Sequence, residues 1–419
     1  EAMPSFAVLK ANLTAVSRLA CEGRILAARS VRAGGVAAAI SQMCFGNHVG
    51  FDFLRSETCA NLLRPEYGSI ILELPSDTDY AELLQGTDWE LLGYTSDKPY
   101  ISVNGVRIGL AEAVAAWQQP LNDVFPDRLD QQGPSAETTQ YAIRNNVRPA
   151  AAVQRPRVII PVFPGTNCEY DSARAFEKAG ATAETLVFRN LSADAVAQSL
   201  TALAGAIDRA QILMLPGGFS AGDEPDGSGK FIAAVFRSPR IREAVNRLLG
   251  QRDGLVLGIC NGFQALIKLG LVPYGEIRDL DANSPTLTYN VVGRHVSAMA
   301  RTKVVSVLSP WLAHASLGDI HTVPVSHGEG RFVAPPSVIE QLVRNGQIAC
   351  QYVDAEGRAT TAAAYCPNQA MYAIEAITSP DGRVLGKMAH SERVGPFVSR
   401  NVPGDKEQQL FAAGVRYFR

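Results

Sequence analysis

The sequence predicts an α/β protein, a doubly wound and mostly parallel sheet preceded by a smaller α+β domain, and three observations carry that expectation. From Val158 onward, short runs rich in β-branched residues or leucine (VIIPVF, TLVF, ILML and LVLGI) alternate with amphipathic stretches of helix length. Such runs read as strands buried on both faces, and their alternation with helices implies right-handed βαβ units with helices covering both sides of the sheet. Before that point the pattern is mixed: an amphipathic run at Ser5–Cys21, a small-residue helix after Gly34-Gly35 and an apolar strand at Ser69–Leu74. A hairpin follows, in which YISV and VRIGL flank Asn104-Gly105, a dipeptide that tolerates the positive φ of a type I′ turn. Between the two regions the apolar periodicity fades and Gln, Pro, Asn and Arg accumulate. We therefore expect an α+β domain at 1–128, a linker at 129–156 and the doubly wound domain at 157–419.

A chain of 419 residues is long enough for roughly two or three domains. With 47% hydrophobic and 19% charged residues it can fill a sizeable interior. Lys and Arg number 39 against 41 Asp and Glu, so no basic excess exists to neutralise phosphates, and neither a nucleic acid nor a membrane surface is an expected partner. No apolar run approaches the ~20 residues of a membrane helix and no signal-like segment opens the chain, which points to the cytoplasm. The seven cysteines are scattered without a CxxC pair, so reduced thiols and no metal site are expected. The sequence opens at Glu1 directly in a helix-like stretch, and we expect a piece of a longer chain.

Ligands of open α/β sheets bind beyond the carboxyl ends of the strands, so the residues that follow each apolar run are the ones to read. After LVLGI comes GICNGFQ, with Cys260 at a strand-to-helix turn and Gly258 and Gly262 two residues to either side. That is the spacing of a nucleophile elbow, in which missing Cβ atoms permit a sharp turn and close packing of strand and helix. The helix N-terminus favours a thiolate, and its free N–H groups, Asn261's among them, can stabilise an oxyanion. An isolated cysteine is more often a small core residue. Here the glycines and the partners below favour a nucleophile.

A thiolate needs a base, and the base a carboxylate to fix its tautomer. His390 and Glu392, in GKMAHSER after the apolar VLGKM, supply the pair, their i, i+2 spacing setting both on one side of an extended segment. Without Cys260 the same residues would read as an exposed loop. PGGFSAGD at 216–223 follows ILML, and its backbone N–H groups can complete an oxyanion hole. The stretch Gly222–Lys230 lacks the spacing and the Ser or Thr of a phosphate loop. Cys168 in PGTNCEYD is a rival nucleophile without flanking glycines, better read as a first-turn helix residue lining the crevice. His327 and Glu329 in SHGEGRF divide evenly between substrate binding and a solvated turn, and the remaining histidines have no metal-like spacing.

Taken together and in order, PGTNCEYD, PGGFSAGD, GICNGFQ, HGEGRF and HSER resemble the glutaminase domain of the phosphoribosylformylglycinamidine synthase family, a class I glutamine amidotransferase. The resemblance implies a Cys260–His390–Glu392 triad, an oxyanion hole near Gly217-Gly218 and Asn261, and glutamine contacts that include Gln264. It implies no cofactor for the glutaminase step, ATP and Mg in the synthetase portion, glutamine and the remaining synthetase domains as partners, and a place in purine biosynthesis. RAGGVAAAISQMCFGNHVGFDF and WQQPLNDVFP make the first domain similar to the C-terminal subdomain of the second synthetase half in the long single-chain form. Where many relatives carry an acidic DxSDGG-like segment this chain has Ser30-Val31-Arg32-Ala33-Gly34-Gly35. The ATP-binding portion is not in the sequence, so glutamine hydrolysis alone is expected of it. Two other classes stay open: a Cys-elbow hydrolase or holdase on the same fold, and a non-catalytic docking module.

Overall fold

The computed structural model describes residues 5–54, 56, 58–122, 124, 136–149, 151–220 and 229–419. They fall into two compact units, residues 1–127 with 399–402, and residues 128–398 with 403–419.

In the first unit the strands Gly93–Ser96, Gly50–Phe53, Tyr100–Val103 and Val106–Gly109 form a sheet in that order, and Ala27–Ser30 pairs separately with Ile70–Glu73. The Asn-Gly hairpin forms as its chemistry requires: Val103 faces Val106, and Asn104 and Gly105 have φ of 52° and 77°. Helices Gly35–Asn47 and Leu110–Gln118 help cover a small core around Ile40, Phe51, Ile101 and Leu110.

The second unit is organised by a nine-stranded sheet. Its order is Ile320–His327, Val296–Val304, Ile348–Tyr352, Ile374–Thr378, Val384–Lys387, Leu255–Ile259, Ile212–Leu215, Arg157–Val162 and Thr182–Val187. From Val384–Lys387 to Thr182–Val187 every pairing is parallel, which is the part that the alternation of apolar runs and helices foretells. The other half is antiparallel. Pro324 lies within the edge strand Ile320–His327, a position where a missing N–H is tolerated; its carbonyl accepts from His390 N–H at 2.8 Å, and Thr322 N–H donates to Asp405 O at 2.6 Å.

Of the expected linker, residues 129–135 and 150 lie outside the described residues. Residues 136–149 run along the second unit. Tyr141 exchanges backbone hydrogen bonds with Val305 and Val307, its ring covers Gly346, and the Gln351 carboxamide bonds Thr139 N–H and Glu137 O at 3.0 Å each. The polar residues of this arm face protein backbone as much as water.

Candidate active site

The strand Leu255–Ile259 is buried throughout and ends at Cys260, the residue that caps helix Asn261–Leu269. Cys260 has φ 52° and ψ −106°, a conformation that costs a non-glycine residue roughly 1–3 kcal/mol. Its backbone is pinned on both sides, N–H to Lys387 O at 2.8 Å and C=O to Gln264 N–H at 3.0 Å. The helix lies so close to the sheet that a Cβ on Gly262 would run into the carbonyl oxygen of Leu215. Close packing therefore turns the helix N-terminus, whose first amides have no intrahelical acceptor, toward the thiol. Cys260 is 5% exposed and its Sγ lies 3.5 Å from Ser326 O.

His390 and Glu392 follow the strand Val384–Lys387, the parallel neighbour of Leu255–Ile259, so both strands deliver their next residues to the same end of the sheet. Glu392 Oε1 sits 2.6 Å from His390 Nδ1, with both side chains buried. The Nδ1–H donates to the carboxylate, which leaves Nε2, without a protein partner among the described residues, for proton exchange. Burial works to lower the His390 pKa, but Glu392, then Cys260 and Cys168, carry it well above the ordinary histidine value. Burial raises that of Glu392, and the charge of His390 more than reverses it, so the carboxyl titrates below its usual value.

Cys168 caps helix Glu169–Lys178 and also faces this histidine: Sγ lies 3.9 Å from His390 Nδ1 and accepts from Arg393 Nη2 at 3.2 Å. Donor atoms of Cys168, His390 and Glu392 all lie within 4.8 Å of one another, a set of the kind zinc accepts. Here protein groups use those donors, Nδ1 being committed to Glu392 and the sulfur to a guanidinium. Gly217 lies against the ring, where a Cβ would stand 2.7 Å from His390 Cε1; its carbonyl accepts from Cys168 N–H at 3.3 Å. Gly218, at φ 144°, bridges Thr166. Ser220 N–H donates to Asn261 Oδ1 at 3.3 Å, which ties this segment to the elbow; residues 221–228, the rest of PGGFSAGD and most of Gly222–Lys230, lie outside the described residues.

The other expected contacts are buried behind the thiol. Asn261 Nδ2 donates to Gln264 Oε1 at 2.9 Å and Gln264 Nε2 donates to Glu329 O, so both ends of the Gln264 amide are engaged within the protein. His327 bonds Asn290 Oδ1 through Nδ1 at 3.1 Å. Burial first, then the neighbouring His390 and His295, push its pKa down to about 3, so the ring is neutral and its Nε2 an acceptor. Glu329 is buried beside it.

A family model for the CobB/CobQ-like glutamine amidotransferase domain matches residues 155–418. The chain belongs to that family. Among curated proteins it is 36% identical over 235 residues to the phosphoribosylformylglycinamidine synthase subunit PurQ of Rhodospirillum rubrum, an alignment covering 56% of this chain and 89% of the relative. The PurQ subunit of Chlorobaculum tepidum is 34% identical over 239 residues, 56% of this chain and 86% of the relative. Among solved structures, PurLQS from Thermotoga maritima aligns with 63% of this chain and 100% of that chain at 24% identity and a TM-score of 0.45. As a glutamine amidotransferase domain, residues 155–418 end in the helix Leu410–Arg416 and thus include the whole nine-stranded sheet.

Several residues around this candidate site give no signal in the sequence. Ser326 accepts from the thiol through its carbonyl, and its hydroxyl lies in hydrogen-bond contact with His295 Nε2 at 3.0 Å, from a position that reads only as part of a polar turn. Lys387 and Glu375 stand alone as charges within apolar strands.

Proposed function

We propose that the chain is the glutaminase part of a phosphoribosylformylglycinamidine synthase and releases ammonia from glutamine through Cys260. The observation that carries this reading is the Cys260 elbow on one strand and, beyond the adjacent parallel strand, His390 with its Nδ1 held 2.6 Å from Glu392. The Cys260 thiolate, beside a protonated His390, attacks the side-chain carboxamide carbon of glutamine, and the oxyanion meets the N–H groups of Asn261 and the Gly217-Gly218 segment. The C–N bond breaks, ammonia leaves with the proton from His390, and a glutamyl thioester remains. Water then loses a proton to His390 as it attacks the thioester; glutamate departs, and the thiolate is restored beside the protonated His390. The groups invoked in these steps are side chains, backbone N–H groups and water.

His327, neutral and able to accept, and Glu329 are assigned to the amino-acid end of the substrate. Gln264, with its amide engaged on both sides, is assigned to positioning Asn261 and Glu329. The names of its relatives support only a place in a phosphoribosylformylglycinamidine synthase; from the sequence resemblance we assign the domain to delivering ammonia to a synthetase portion that uses ATP and Mg, in cytoplasmic purine biosynthesis, and the first unit to the end of that portion. No helix among the described residues is long and apolar enough to cross a membrane.

The test is to treat the chain with a glutamine-mimicking diazo ketone and map the adduct by peptide mass spectrometry, with glutamine as competitor. An adduct on Cys260 that glutamine suppresses, and that is lost in Cys260→Ala, supports nucleophile and substrate together. Labelling that glutamine leaves untouched points instead to a Cys-elbow hydrolase without glutamine specificity.

A further inference from the structure

Beneath the site lies a buried ion pair that the reaction above does not use. Lys387 Nζ and Glu375 Oε1 are 3.1 Å apart, on neighbouring antiparallel strands, and neither side chain is more than 1% exposed. Removing two charges from water costs several kcal/mol per ion, and well-packed apolar residues fill such a site at no net loss of stability. What apolar residues cannot supply is a set of directed donors and acceptors.

Those donors and acceptors converge on one place. The sheet ladder ends where Ala376 pairs with Lys387, and from there the chain turns to deliver His390. Across that turn side chains replace the ladder: Lys387 Nζ donates to Ala389 O at 2.7 Å, and Glu375 Oε1 accepts from Ala389 N–H at 2.9 Å. Met388 N–H donates to Glu375 O at 3.2 Å. Both backbone polar groups of the residue immediately before His390 are thus held by the two charged side chains. Lys387 also acts in the other direction, since its own carbonyl accepts the Cys260 N–H at 2.8 Å. A single residue grips the nucleophile by its main chain and the base-bearing turn by its ammonium.

We infer that Lys387 and Glu375 are positioning residues that fix the distance between Cys260 and His390. The inference rests on the Cys260–His390 reading and adds to it a device for keeping the two groups in register. Neither residue touches glutamine or the reacting atoms. Their effect is on the fraction of time that His390 stands where it can exchange a proton with sulfur, and reacting groups displaced by about 1 Å lose on the order of a hundredfold in rate.

The test compares the full chain with Lys387→Met and with Lys387→Met/Glu375→Leu. The single variant strands a buried carboxylate and is expected to melt earlier; the double variant removes both charges and is expected to recover the melting temperature. In the double variant kcat for glutamine hydrolysis should stay down by about tenfold or more with KM changed less than about twofold, the split expected when only transition-state alignment is lost. The pH profile of Cys260 alkylation by iodoacetamide should shift as the thiol loses its histidine. A double variant that recovers stability, kcat and the alkylation profile together overturns the inference and makes the pair a packing element only. A Cys260→Ala control separates the two readings: hydrolysis that survives it refutes the nucleophile itself, whereas hydrolysis that needs Cys260 but ignores the double substitution refutes only the positioning.

Discussion

At the scale of single residues, the contact between Gly262 and the Leu215 carbonyl sets how near the elbow helix comes to the sheet. A methyl group there has no room, because the obstacle is backbone at the end of a fully buried strand. Gly262→Ala should therefore lift the helix, cost about 2–4 kcal/mol in thermal or urea unfolding, and lower glutamine hydrolysis by roughly a hundredfold; an alanine variant with wild-type activity would remove the packing argument. The His390–Glu392 pair makes a second prediction, in the pH dependence. His390 is protonated more readily in the fold than its ordinary value of 6.5 allows, so its contribution to stability is complete below that value and is lost as pH rises through the higher folded one. Glu392 titrates below its ordinary 4.5, so its contribution is present above that pH and is lost as pH falls through the lower folded value. Glu392→Gln should move the alkaline limb of the melting curve to lower pH and reduce kcat by about 10²–10⁴. If kcat falls while the alkaline limb stays in place, Glu392 does not act through the charge of His390.

At the scale of elements, the arm at 136–149 shows how polarity misleads. Arg144 donates to Leu312 O and Ala315 O at 3.1 and 2.8 Å, and Asn145 Nδ2 bonds Asp381 O, so residues that read as solvated satisfy backbone carbonyls of the second unit. Tyr141→Ala should uncover Gly346 and cost roughly 1–3 kcal/mol, less than a fully buried aromatic, as read by the unfolding midpoint of the second unit; a midpoint that does not move would make the arm a passive connection. The same cause limits what the sequence shows of the sheet. Strands buried on both faces advertise themselves as continuous apolar runs, and ILML and LVLGI did so. The strand Val296–Val304 is half exposed over its first residues, Ile320–His327 interleaves His, Thr and Ser with its apolar residues, and Ile348–Tyr352 carries a buried glutamine, so none presents that pattern. The elbow glycines and the His390–Glu392 spacing are legible because they are local. Lys387 and Glu375 are not, since a solitary charge in a strand gives no hint that its partner lies on the neighbouring one.

At the scale of the molecule, the two units differ in what holds them. Among the described residues the first has a small buried core, with Val31, Ile40, Phe51 and Leu110 in it, while the second packs an apolar interior that runs from Val158 to Phe418. Scanning calorimetry should resolve two transitions, and a covalent glutamine mimic on Cys260 should raise only the upper one, since a ligand stabilises only the unit that binds it. A single transition shifted as a whole would show that the two units melt as one. The outermost strand of the large sheet has a further consequence. Its free side is occupied where Thr322 N–H meets Asp405 O and where Pro324 O meets His390 N–H. An uncovered strand is a template on which a second chain can add itself, and here the turn that carries the proposed base stands in the way. Substitutions that loosen that turn should thus cost colloidal stability as well as chemistry, with inactive preparations that grow in light scattering before any loss of secondary structure is seen.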